Sequence, residues 1–157
     1  MMHRKKQASE LLALMQKHPQ KKEHYTLFLS PLKLSLENYH SLQITDILLL
    51  NNLEVLLVKE EVVYAKGTLK RENHQLLFSV DTIEQTPLFI EKQKSHQYLY
   101  PSLGTIQTHK PQQKAYITIP QTLLDEPISL FTQEHQHAKA TFVKIKKHIG
   151  LQIGEII

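Results

Sequence analysis

The chain has 157 residues, a hydrophobic fraction of 41% and a formal charge of +4, which suits one domain of ordinary size or two small ones. Zero cysteines exclude a disulfide framework, a thiolate metal site and a cysteine nucleophile. The longest apolar stretch, Ile47 to Val58, is broken by Asn51, Asn52 and Glu54, short of the roughly 18 apolar residues of a membrane span. The basic start MMHRKKQ leads into no apolar run with a small-residue cleavage site, so a cytoplasmic protein is the expectation.

In chain order, the first 22 residues are basic, with Arg4, Lys5, Lys6, Lys17, Lys21 and Lys22. Ala8, Leu11, Leu12 and Met15 follow helical spacing within QASELLALMQK, and Pro19 stops that helix. It is either a docking element for a neighbour or a cap over its own domain. From Tyr25 the period changes to two. TLFLS and LKLSLE alternate around Pro31 as two short strands or one bent strand. ITDILLL reads as one helical turn entering a strand, and LEVLLV, EEVVYAKGTL and HQLLFSV as three more strands. Pro87, Pro101, Gly104 and Pro111 mark the next stretch as a linker with an irregular strand. AYITI, PISLF, KATFVKI and IGLQI follow as short strands. The body is mainly β. The expected divisions are 1–22, helix and basic linker; 23–84, a first β domain; 85–111, the linker; and 112–157, a second β domain, its first half starting as early as 95.

The chain repeats itself. Shifted by 73 residues, YAKGTLKRENHQLLFSVDTI (64–83) lies on HAKATFVKIKKHIGLQIGEI (137–156) without a gap, and from Ile44 to Ile83 nine positions are identical. Apolar positions coincide as well, which preserves the side chains that face inward. The strands holding Leu76, Phe78 and Val80 in the first copy, and Ile149, Leu151 and Ile153 in the second, are expected to pair one copy with the other. A lone β unit of this size barely covers its apolar faces.

The second copy, EPISLFTQEHQHAKATFVKIKKHIGLQIGEII (126–157), resembles the C-terminal half of the SPOA domain of flagellar motor switch proteins and type III secretion C-ring or sorting-platform proteins. Glu126-Pro127-Ile128 is similar to the start of the family pattern and Ala138 to its alanine. Phe142, Val143 and Ile145 match its aliphatic run, and Gly150-Leu151-Gln152-Ile153 with Glu155-Ile156-Ile157 its close. In the first copy Tyr64-Ala65-Lys66-Gly67 carries the family glycine that Ala140 replaces in the second. Gln133-Glu134 stands at the family's Asn-Gly turn and Gln152 at its arginine.

The resemblance implies two tandem SPOA-like domains, strand-exchanged or pseudo-dimeric, behind an N-terminal helix. It also implies a structural, non-enzymatic role as a cytoplasmic scaffold peripheral to the inner face of the cytoplasmic membrane. Its implied partners are further copies, a paralogue or longer form carrying the same domain, and the stator protein that regulates the export ATPase; no cofactor or small molecule is implied. Val62, Val63 and Tyr64 in the first copy, and Phe142, Val143 and Ile145 in the second, are candidate partner-binding residues. Adjacent strand residues face opposite sides, so one side of each run can be core and the other a docking patch.

Other chemistry is thinly represented. His135-x-His137 has a spacing that can hold a metal, with no third ligand nearby in sequence. No G-x-S-x-G elbow and no phosphate-cradling glycine loop occurs among four glycines. The alternative function is a basic β-barrel module that binds nucleic acid, although no aromatic residues alternate with the N-terminal lysines to stack bases.

Overall fold

The computed structural model describes residues 21–157; the helix expected over 7–17 lies outside the described residues. In chain order the strands are β1 (Glu23–Leu29), β2 (Leu32–Ser35), β3 (Ile47–Leu49), β4 (Val55–Lys59), β5 (Val62–Glu72), β6 (Gln75–Pro87), β7 (His96–Thr108), β8 (Tyr116–Ile119), β9 (Ile128–Phe131), β10 (Gln136–Ile145) and β11 (His148–Ile156). A short helix, α1 (Leu36–His40), follows β2, and a 3₁₀ turn (Gln121–Asp125) follows β8. The helix departs from the strand expected over LKLSLE. The Ser35 hydroxyl accepts a 3.1 Å bond from the Asn38 N–H and so caps a new helix at Leu36.

The strands form one antiparallel sheet in the order β3-β11-β10-β9-β7-β1-β4-β5-β6-β8, with β2 paired to β7 off that path. Read from either end, each strand meets its counterpart in the other copy. The registers repeat as well. Val55 opposite Gly67 becomes Ile128 opposite Ala140, and Leu69 opposite Phe78 becomes Phe142 opposite Leu151, with bulges at matching places. The outermost strands are exchanged: β3 of the first copy pairs with β11 of the second, and β8 of the second with β6 of the first.

The strand pairs also correct the repeat at its start. Leu49 lies opposite Gly150 and Thr118 opposite Leu77, a spacing of 69 residues in place of 73. Ile44-Thr45 is therefore not the counterpart of Ile117-Thr118, since the 3₁₀ turn gives the second copy four more residues before its next strand. Thr45 and Lys114, 69 apart, each adopt a positive φ, 80° and 63°. The Thr45 N–H donates to the Ile153 carbonyl at 2.8 Å, and the Lys114 N–H to the Val80 carbonyl at 3.0 Å.

The stretch 85–111, expected as a linker with an irregular strand, is mostly strand. β6 runs on to Pro87, and β7 lies beside β1 at the middle of the sheet. Its prolines and glycine hid it. Pro101 stands past the last rung with β1, at Ser102, so that ladder does not need the N–H proline lacks. Gly104, at φ 125°, forms a bulge where a Cβ would meet Leu123 Cδ1 at 2.5 Å.

One core serves both copies. It joins Leu27, Leu57, Phe78 and Val80 of the first to Leu99, Leu130, Leu151 and Ile153 of the second. A smaller cluster, Leu56, Val58, Val63, Leu88 and Tyr100, covers the other face of the sheet. Burial of β4 on both faces explains its unbroken apolar run. Among the described residues no helix is long and apolar enough to cross a membrane.

Candidate functional site

The candidate partner-binding residues fall into three environments. In the first copy the run is largely interior: Val63 is 3% exposed beneath Leu88, and Tyr64 meets Tyr25 edge to face at 6.1 Å. Val62 is half-buried. The bulge at Tyr64, which has no partner between Val63 and Ala65, reverses the facing of the strand, so Val63 and Ala65 serve opposite faces. In the second copy Phe142, opposite the core residue Leu151, points to the core side, where it lines a groove. Val143 and Ile145, opposite Gly150 and His148, lie on the outer face.

That outer face carries an apolar group drawn from both copies, beside Thr141, His148 and Gln152 of the same facing. Ile47 and Leu49 of β3 flank Gly150, whose added Cβ would meet Ile47 Cγ2 at 2.8 Å. Ile47 is 39% exposed, Leu49 54% and Ile145 37%, with Val143 half-buried between the strands. No acidic residue occurs in 47–49, 141–145 or 148–152. Exposed Lys144, Lys146 and Lys147 stand at the β10–β11 hairpin end.

The first copy supplies an internal control. At the corresponding places on β8, β6 and β5 stand Tyr116, Thr118, Leu77, Lys70 and Glu72. The same scaffold position therefore carries an exposed Lys and Glu on one copy and Val and Ile on the other. Strand geometry is common to both, so folding alone does not require the apolar version. Exposed apolar patches of this kind mark interaction surfaces.

The six residues expected to pair the copies are on β6 and β11, which do pair with strands of the other copy. Leu76, Phe78, Val80, Leu151 and Ile153 are buried, and Ile149 is half-buried at the groove. The groove itself was not foreseen. It has a volume of about 590 Å³ between the β5 and β10 hairpins, with Leu29, Val55 and Leu103 below, Leu69, Phe142 and Lys144 at the sides, and Leu53 and Leu124 at its rim; Val143 also borders it. No local sequence signal marks it, because its walls come from residues more than 70 positions apart.

His135 and His137 lie 6.2 Å apart between ring centres, but His137 is engaged elsewhere. It sits at the bulge that Tyr64 occupies in the first copy and stacks on Tyr39 of α1 at 4.5 Å. Its Nδ1 is 3.3 Å from the Tyr39 hydroxyl. Burial, then the charges of His135 and His40, holds its pKa below the ordinary imidazole value. Among the described residues no group of three His, Cys, Asp or Glu side chains is placed to hold a metal.

No protein-family model matches the chain, and no curated protein matches it.

Proposed function

We propose that this protein is a non-enzymatic scaffold of a type III secretion apparatus, injectisome or flagellar, built as two SPOA-like units exchanged within one chain. Its outer patch of Ile47, Leu49, Val143 and Ile145 docks a partner. The observation that carries this reading is the contrast at equivalent places on β10 and β5, Val143 and Ile145 on one copy and exposed Lys70 and Glu72 on the other. The 126–157 resemblance supplies the family, and the exchanged edge strands supply a rigid platform. Lys146 and Lys147, at the hairpin end beside Ile145, suit a partner segment that alternates apolar and acidic residues, as an amphipathic helix laid on the patch would. The stator protein that regulates the export ATPase is the proposed partner, in the cytoplasm at the inner face of the membrane.

Titration calorimetry of the full chain with that regulator tests the reading. Leu49→Asp with Val143→Asp is expected to weaken binding at least tenfold, about 1.4 kcal/mol. Lys70→Asp, at the place in the first copy matching Val143, leaves it unchanged. Equal loss from both variants, or none from either, rejects the patch. Binding to nucleic acid that collapses between low and high salt would instead indicate phosphate contacts and the basic-module alternative.

A further inference from the structure

No Asp or Glu occurs between Glu91 and Asp125, so β7, the loop after it and β8 carry no acid. Glu23 lies opposite Thr108, which sets Lys22 beside His109 where β1 and β7 run out. Lys22, His109, Lys110 and Tyr116 border one depression of about 570 Å³. Lys21 and Lys114 stand exposed next to it along the chain. We propose that this basic face binds the anionic phospholipids of a membrane surface, a lipid phosphate entering the depression between Lys22 and Lys110 while Tyr116 lies at headgroup level. The face is one that the secretion reading does not use, and the inference stands without that reading.

Charge is the first support. Of the acids near this face, Glu23 is held by Lys59 at 2.8 Å. Asp81 is exposed and follows Val80, whose carbonyl accepts from the Lys114 N–H. Against Asp81 stand Lys21, Lys22, Lys110 and Lys114, none of them ion-paired among the described residues. A cluster of that size is what an anionic leaflet attracts. The fold does not require it. At the corresponding turn of the other copy, Thr45, Asp46 and Ile47 stand where this one has Lys114, Ala115 and Tyr116. The second support is the ring of Tyr116, 56% exposed although it belongs to a strand. An apolar ring with a polar tip suits the headgroup layer. The third is what borders the depression. Among the described residues Tyr116 is the only Phe, Tyr or Trp there, whereas a nucleic-acid strand stacks successive bases on several. An acidic protein would seek a pocket for an apolar anchor, and exposed Gln107, Gln112 and Thr118 take that place.

Sedimentation of the full chain with phosphatidylcholine vesicles, with and without phosphatidylglycerol as about a third of the lipid, tests the proposal. Binding is expected only with phosphatidylglycerol, and weaker at high salt. Lys22→Ala with Lys110→Ala is expected to lower partitioning about thirtyfold. Lys33→Ala with Lys94→Ala removes the same charge from exposed positions on and near β2, and is expected to lower it less than about threefold, as screened charges off the face would. Tyr116→Ala weakens binding at both salt levels. No dependence on phosphatidylglycerol, or an equal loss from the two lysine pairs, overturns the proposal. Release of the chain by free glycerol phosphate also overturns it and gives the depression to a soluble phosphate. Tighter binding to a single-stranded oligonucleotide, abolished by the Lys22 and Lys110 substitutions, overturns it in favour of nucleic acid. All four lysines are exposed, so the melting temperatures stay at the parent's value and a loss of binding is not a loss of fold.

Discussion

Gly67 shows what a single residue position decides. A Cβ there would fall inside the Ser79 carbonyl oxygen and press on the Phe78 ring, because the bulge beside Gly67 draws β5 onto β6. The counterpart, Ala140, tolerates its methyl. Gly67→Ala is expected to cost about 1–3 kcal/mol in urea denaturation, the range of an overpacked core site, whereas Ala140→Gly costs less. Stability unchanged by Gly67→Ala would mean that the close approach relaxes freely. His137 sets a pH dependence. Its folded pKa is lowered by burial first and then by His135 and His40; Tyr39 packs on it, and Glu134 lies near Tyr39. As pH falls through about 6.5 the unfolded chain takes up the proton before the folded one does, so stability is full above that pH and declines below it. Between pH 7.5 and 5.5 the melting temperature of His137→Asn is therefore expected to drop less than that of the parent. An equal drop assigns the pH effect to the other histidines. The H-x-H spacing was legible in the sequence; the ring of Tyr39, 98 residues away, was not.

At the scale of elements, alternation located the strands that have one face on a core, and an unbroken apolar run located β4, buried on both. Alternation failed where a strand is interrupted: β7 carries Pro101 and a positive-φ glycine, and α1 begins inside an alternating run through a serine cap. The closing segment HIGLQIGEII is a structural strand. Leu151 and Ile153 are wholly buried, and β11 is bonded to β10 on one side and to β3 on the other. Removing two such side chains alone costs several kcal/mol, against the 5–15 kcal/mol that stabilises a typical domain. A chain ending before Ile149 is expected to lose its near-ultraviolet tyrosine signal and to aggregate, as read by circular dichroism and light scattering. A truncated chain that stayed folded and monomeric would remove β11 from the core.

For the whole molecule, the shared core is the deciding fact. Two copies that contribute to one apolar cluster and exchange their outer strands cannot unfold independently. Urea unfolding followed by tyrosine fluorescence and by far-ultraviolet dichroism is expected to give one coincident transition; two separated transitions would mean that each copy folds alone. The sequence by itself determined that the protein is mainly β, that its last strand is built in, and that a unit recurs at 73 residues. Those properties are periodic and local, set by the alternation of side chains along each strand. Only the tertiary structure decided that β3 and β8 change places between copies, that 85–111 crosses the middle of the sheet, and that Ile47 and Leu49 meet Val143 and Ile145 on one face. Strand partnership is a competition among distant segments with similar apolar faces. Its outcome depends on total burial, which no single stretch of chain encodes.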